Sequence, residues 1–112
     1  VLRVSYGQEH FLLTGDAPVS VEQKLVEAGD NLQSQVLQVG HHGSKSSTSQ
    51  VFLEKVEPEL AVIQVGKNNR YGHPDPGILE RLKIYGIRVM RTDEVGDIKI
   101  TSDGKSFELS SF

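Results

Sequence analysis

A chain of 112 residues, 37% hydrophobic and 24% charged, with 11 Gly and 4 Pro, suits one globular domain and excludes two independent ones. Its 12 basic and 15 acidic residues give a formal charge of -3, so there is no global attraction to nucleic acid or anionic membrane, and any phosphate contact has to be local. The absence of cysteine excludes a disulfide framework and a thiolate metal site, which leaves His, Asp and Glu as ligands for any metal. No apolar run approaches the ~20 residues of a membrane span, and the alternating start Val1-Leu2-Arg3-Val4-Ser5-Tyr6 is unlike a signal peptide.

Val1 to Tyr6 and Glu9 to Leu13 are β-rich runs separated by Gly7-Gln8, a hairpin pattern that leads straight into Thr14-Gly15-Asp16. Ser20 with Gln23 three places on has the form of a capping box. Val21, Leu25, Val26 and Ala28 then recur at helical spacing until Gly29. Gln35 to Val39 predicts a strand closed by Gly40-His41-His42-Gly43-Ser44. The Ser/Thr-rich stretch after it can cap a helix over Val51 to Val56, before Pro58. Leu60 to Val65 is apolar apart from Gln64, as expected of a strand covered on both faces. Asp75 as N-cap, Pro76 at the first helical position, Ile78, Leu79, Leu82 and Tyr85 on one face and Gly86 past the end specify a third helix. Ile87 to Met90, Ile98 to Thr101 and Ser106 to Leu109 predict three strands, the last two joined across Asp103-Gly104.

The resulting order, ββαβαβαβββ, implies an α/β fold with a mixed sheet, parallel in the middle and antiparallel at both ends of the sequence. Right-handed crossovers would put all three helices on one face of the sheet, leaving the other face for a different layer. Nothing in the chain obviously supplies that layer. The expectation is therefore a dimer or one half of a larger sandwich.

Chemistry-bearing residues follow directly after predicted strands: Asp16, then His41 and His42, then Lys67 to His73, then Arg91-Thr92-Asp93-Glu94. Parallel strands would gather these loops on one edge, where ligand sites of open α/β sheets form. Asp16 reads either as a plain turn acid or, at the end of an apolar strand, as a carboxylate that needs a cation partner. His41 and His42 are flanked by glycines that clear space. On extended backbone their side chains would point to opposite sides, so one would ligate a metal and the other support it or hold substrate. Ser44, Lys45 and the hydroxyls up to Ser49 suit a phosphate oxyanion or, equally, an ordinary capped loop. His73, in Tyr71-Gly72-His73-Pro74, reads as a positioned imidazole beside Lys67, Asn68, Asn69 and Arg70, groups able to bind phosphate. His10, inside a predicted strand, is assigned to the sheet.

Three segments carry a resemblance: Leu13-Thr14-Gly15-Asp16, Val36-Leu37-Gln38-Val39-Gly40-His41-His42-Gly43-Ser44-Lys45, and Val65-Gly66-Lys67-Asn68-Asn69-Arg70-Tyr71-Gly72-His73-Pro74. Together they resemble the carboxy-terminal half of a metallo-β-lactamase-fold domain, and more narrowly the soluble domain of ComEC-type proteins, bacterial DNA internalisation channels. The resemblance covers almost the whole chain and implies an αβ/βα sandwich in which the partner is the amino-terminal half of the same domain. That half's His-x-His-x-Asp-His motif is absent here. By resemblance, Asp16 matches the bridging aspartate and His41-His42 the later histidine motif, with His73 a further active-site candidate. Two divalent ions, zinc or manganese, would sit in the complete domain.

The reaction implied is two-metal phosphodiester hydrolysis on DNA taken up during competence, single-stranded DNA being the expected substrate. Asp16 would hold both ions and one of His41 or His42 would complete one coordination shell. His73, Lys67 and Arg70, with Ser44, Lys45 and Asn68, would orient or neutralise the substrate. Catalytic zinc normally takes three protein ligands, so this chain alone offers a half-site and is expected to be inactive. The resemblance further implies a bacterial, membrane-embedded parent protein with this domain on the extracytoplasmic side. The competing readings are a non-catalytic nucleic-acid-binding or scaffolding module, and a metallohydrolase of a small phosphoester or lactone.

Overall fold

The computed structural model describes residues 1–111. β1 (Leu2–Tyr6) and β2 (Glu9–Leu13) form the expected antiparallel hairpin, with Leu2 opposite Leu13 and Tyr6 opposite Glu9. β3 (Val36–Gln38), β4 (Leu60–Ile63) and β5 (Arg88–Arg91) then add one after another, each parallel to its neighbour. The sheet order is therefore β1-β2-β3-β4-β5, with every strand end from β2 to β5 on the same edge.

The crossovers are α1 (Val19–Glu27), α2 (Gln50–Val56) and α3 (Pro76–Ile84). α3 starts as its sequence dictates: the Asp75 carboxylate accepts from the Gly77 amide at 2.9 Å and Pro76 fills a position that needs no donor. Ser49 caps α2 by accepting from the Phe52 amide at 3.2 Å. The Ser20 capping box does not form. α1 begins two residues earlier, after Pro18, whose carbonyl receives the first helical bonds from Val21 and Glu22, and Gln23 instead donates to Glu27. Tyr85 caps the end of α3 rather than lying in its buried face, and its hydroxyl donates to Glu54 at 2.7 Å. That bond holds the Glu54 carboxyl below its ordinary pKa and the Tyr85 phenol above its own.

Strand alternation sorts the core into two layers. Leu12, Leu37, Ala61 and Ile63 face the helices and pack with Phe52, Leu53, Val56, Ile78 and Leu82. Burying each such large side chain contributes about 1.5–3 kcal/mol. Val36, Leu60 and Val62, with Phe11 and Met90, point the other way. All three helices thus lie on one face, as expected.

The opposite face is not left bare, which corrects the sequence expectation. The last two strands, β6 (Ile98–Ser102) and β7 (Phe107–Ser111), do not extend the mixed sheet. They form a separate antiparallel ribbon whose Ile98, Ile100, Phe107 and Leu109 pack onto Val36, Leu60 and Val62. A helical turn, α4 (Thr92–Val95), absent from the predicted order, sends the chain from one sheet to the other through Gly96. The pattern Ile98-x-Ile100 and Phe107-x-Leu109 is that of a half-buried ribbon, and only its destination was misjudged. Coverage stops short of β1, where Leu2, Val4 and Tyr6 remain exposed.

Two hairpin turns touch beneath this ribbon. The Gln8 amide donates to the Gly104 carbonyl at 2.6 Å, and a Cβ on Gly7 would lie 2.5 Å from that oxygen. Glu9 is buried at this junction and, among the described residues, its Oε2 has no hydrogen-bond partner. Burial pushes its carboxyl pKa up, Glu59 and Asp103 add to the rise, and His10 opposes it.

Candidate functional site

The common edge brings the four chemistry-bearing segments to one rim. At the end of β2, the Gln38 side-chain oxygen accepts from the Thr14 and Gly15 amides, both at 2.9 Å, while the Thr14 hydroxyl donates to the Gln38 carbonyl at 2.6 Å. The Gly15 carbonyl in turn accepts from the His41 amide at 2.8 Å. Asp16, exposed, therefore follows by one peptide bond the group that touches the histidine turn. Gln38 stitches these loops together, yet in sequence it is an unremarkable polar residue within a strand.

His41 and His42 are not on extended backbone. Both occupy the left-handed region (φ 51 and 57), followed by Gly43 at φ 83, in a tight turn over Gly40–Gly43. The expectation that their side chains diverge as strand neighbours therefore fails. Holding a non-glycine residue there costs about 1–2 kcal/mol each, and such strain persists only where the surroundings enforce it. Here His41 is held from Gly15, and the Ser44 amide closes the turn onto the His41 carbonyl at 3.0 Å. Gly43 lies so close to Pro74 that a Cβ would sit 2.6 Å from the proline Cβ, and its carbonyl accepts from the Asp75 amide at 2.9 Å.

The two imidazoles differ in what fixes them. His42 Nδ1 lies 2.6 Å from the Gln64 carbonyl, an acceptor only, so Nδ1 carries the proton and the neutral ring keeps its lone pair on Nε2. Metal-ligating histidines commonly show this arrangement. His41 Nδ1 makes only a long contact, 3.3 Å, to the Ser46 hydroxyl. His73 joins the pair from the next loop: its ring centroid is 5.8 Å from that of His41, which is 6.2 Å from His42.

Asn69 organises that loop. Its amide oxygen accepts from the Tyr71 and His73 amides, and its amide nitrogen donates to the Gly66 and His73 carbonyls. Lys67, Asn68 and Arg70 are left exposed on its surface. The Thr92 hydroxyl, bonded to both the amide and the carbonyl of Val65, ties the loop's root to β5. Beside it, Arg91 grips Asp93 through two bonds of 3.0 and 2.7 Å, which lowers the Asp93 pKa and raises that of Arg91. This fourth segment is thus largely neutralised within itself.

The hydroxyl-rich stretch proves mainly architectural. Ser44 is buried and its hydroxyl accepts from the Ser46 amide at 3.2 Å; Ser47 donates to the Ala17 carbonyl at 2.7 Å; Lys45 is exposed. Glu22 was missed. Its buried carboxylate reaches from α1 to accept from the Thr48 and Ser49 amides at 2.5 and 2.9 Å. One signal was available: Glu22 falls three and four residues before Leu25 and Val26, on the apolar face of α1.

Asp16, His41, His42 and His73 are thus brought to one rim. Among the described residues, however, no group of three or more His, Asp or Glu side chains is arranged to hold a metal ion. Likewise, among the described residues no helix is long and apolar enough to cross a membrane.

No family model matches the chain. Among curated proteins it is 43% identical over 99 residues to ComE operon protein 3 of Bacillus subtilis, covering 88% of this chain and 13% of that protein. It is 46% identical over 100 residues to competence protein ComA of Neisseria gonorrhoeae, covering 88% and 14%. Recombination protein 2 of Haemophilus influenzae is 39% identical over 100 residues, covering 89% and 12%. The chain therefore matches most of its own length to about an eighth of these relatives.

Proposed function

We propose that the chain is the carboxy-terminal part of a metallo-β-lactamase-fold hydrolase domain that cleaves DNA phosphodiesters during competence-related DNA uptake. One observation carries the reading. The Asp16 loop and the strained His41-His42 turn are bonded to each other, with the His73 ring alongside, at the strand ends of a parallel sheet. The names of the ComE operon and ComA relatives supply the biological setting.

His42, with Nδ1 committed to the Gln64 carbonyl, has the donor set that a divalent ion takes, and Asp16 supplies a carboxylate. The remaining ligands would come from an amino-terminal half of the same domain, because the described residues do not complete a set. When bound, two such ions, zinc or manganese, supply an activated water and polarise the phosphate. Within the chain, His73 and His41 would be available to orient the substrate, and Lys67 and Arg70 would offset phosphate charge from the Asn69-braced loop. The parent polypeptide would be a bacterial membrane protein with this domain on the extracytoplasmic side.

The test is cleavage of end-labelled single-stranded DNA by this chain joined to its amino-terminal half, with and without manganese or zinc. Metal-dependent cleavage that Asp16→Ala abolishes is the expected result. Salt-sensitive DNA binding that neither chelator nor Asp16→Ala changes, with no cleavage, would instead support a non-catalytic binding module.

A further inference from the structure

We propose that Tyr71 is a stacking platform for a nucleobase of single-stranded DNA, placing the adjoining phosphate against the row of imidazoles. This rests on the DNA-directed reading above and assigns a role to a residue outside the candidate metal set.

Tyr71 is 80% exposed, the most open large hydrophobic side chain described. A tyrosine serving only to pack would bury its ring, since burial of aromatic area is its main contribution to stability. The ring is nevertheless not loose. It stacks on His73 at 5.7 Å between centroids with the planes 21° apart, and His73 leads on to His41 and His42. Four rings therefore run in sequence from open solvent into the candidate site, with Tyr71 at the outer end.

The loop is braced for such a role. The Tyr71 amide donates to the Asn69 oxygen at 3.2 Å, and Asn69 simultaneously holds Gly66 and His73. Little conformational freedom remains to be lost when a base settles on the ring. Exposed Arg70 and Lys67 belong to the same loop and offer cations for phosphate near the aromatic, a pairing of cation and ring that suits single strands. Every base has a π-face, so the subsite would be tolerant of sequence, and a duplex, whose base faces are already stacked, would be excluded. With a net charge of -3 the chain has no general attraction for DNA, so a local contact of this kind would carry a visible share of affinity.

The experiment is fluorescence anisotropy of the 112-residue chain with a labelled oligothymidylate of about 12 nucleotides and with an abasic oligomer of equal length, in chelator. Tyr71→Ala is expected to weaken oligothymidylate binding about five- to a hundred-fold. Tyr71→Phe should keep it within about twofold, and the abasic oligomer should not distinguish Tyr71→Ala from wild type. The proposal is overturned if the wild-type chain binds oligothymidylate no more tightly than the abasic strand. It is overturned equally if Tyr71→Ala leaves oligothymidylate binding unchanged or weakens both ligands alike. Because no turnover occurs in chelator, these outcomes concern the stacking subsite alone; the hydrolase reading stands or falls separately on Asp16→Ala.

Discussion

Replacing Glu22 by alanine removes the acceptor for two backbone amides at the start of α2, those of Thr48 and Ser49. Glu22 and Thr48 are each 1% exposed, so water cannot substitute. An orphaned buried donor costs about 1–3 kcal/mol, and bonds to a charged acceptor sit at the upper end of that range. Adding the packing lost with the side chain, Glu22→Ala should cost about 3–6 kcal/mol. Glu22→Gln keeps one acceptor oxygen but turns a donor toward the second amide, so its cost should be about 2–3 kcal/mol. Against a total of about 5–15 kcal/mol for a domain of this size, the alanine variant would lose much of its stability. Urea unfolding followed by circular dichroism reads this as a fall in midpoint at constant m. A loss below about 1 kcal/mol for Glu22→Ala, or a glutamine variant less stable than the alanine one, would refute the reasoning.

Four further outcomes follow from the same structure. Because burial raises the Glu9 pKa, its contribution to stability is full below the ordinary carboxylate range and lost as pH rises through the folded value. Glu9→Gln should therefore flatten the decline in stability as pH rises above the ordinary carboxylate range, and an unchanged pH profile in urea melts would contradict this. Gly7→Ala should destabilise by at least about 1–2 kcal/mol, from its φ of +59 and the clash with the Gly104 carbonyl; a neutral effect on the melting temperature would count against the docked turns. His41→Gly should leave thermal stability equal or up to about 1 kcal/mol higher while impairing cleavage by the completed domain, since it relieves left-handed strain; a clear loss of stability would show that the turn is not strained. Asn69→Ala should unfasten the Tyr71–His73 loop and weaken DNA binding at little cost to global unfolding, which anisotropy and urea melts together would check.

Local order was largely legible from the sequence because it is written in short-range chemistry. Asp75-Pro76 sets the start of α3, Gly7 the first hairpin, and the alternation Val36-Leu37 and Leu60-Ala61-Val62-Ile63 the two-faced strands. The convergence of Asp16, His41, His42 and the Lys67 to His73 loop on one edge followed from reading the central strands as parallel. What escaped was set by contacts distant in sequence. The destination of the β6–β7 ribbon depends on its apolar face meeting Val36, Leu60 and Val62, and periodicity alone cannot say which sheet a hairpin joins. The left-handed histidine turn depends on bonds from Gly15, Gln64 and Asp75. Glu22 is an acid on an apolar helix face whose partners lie 26 and 27 residues away.

In the proposed hydrolase, Asp16 and His42, brought to one rim by different strands, share a divalent ion once an amino-terminal half completes their surroundings. The most direct measurement is metal content by mass spectrometry after exhaustive dialysis of that completed domain, in wild type and in Asp16→Ala and His42→Ala. Two ions per wild-type domain, with loss of bound metal in both variants, is the predicted result. Metal content that neither substitution lowers would contradict it.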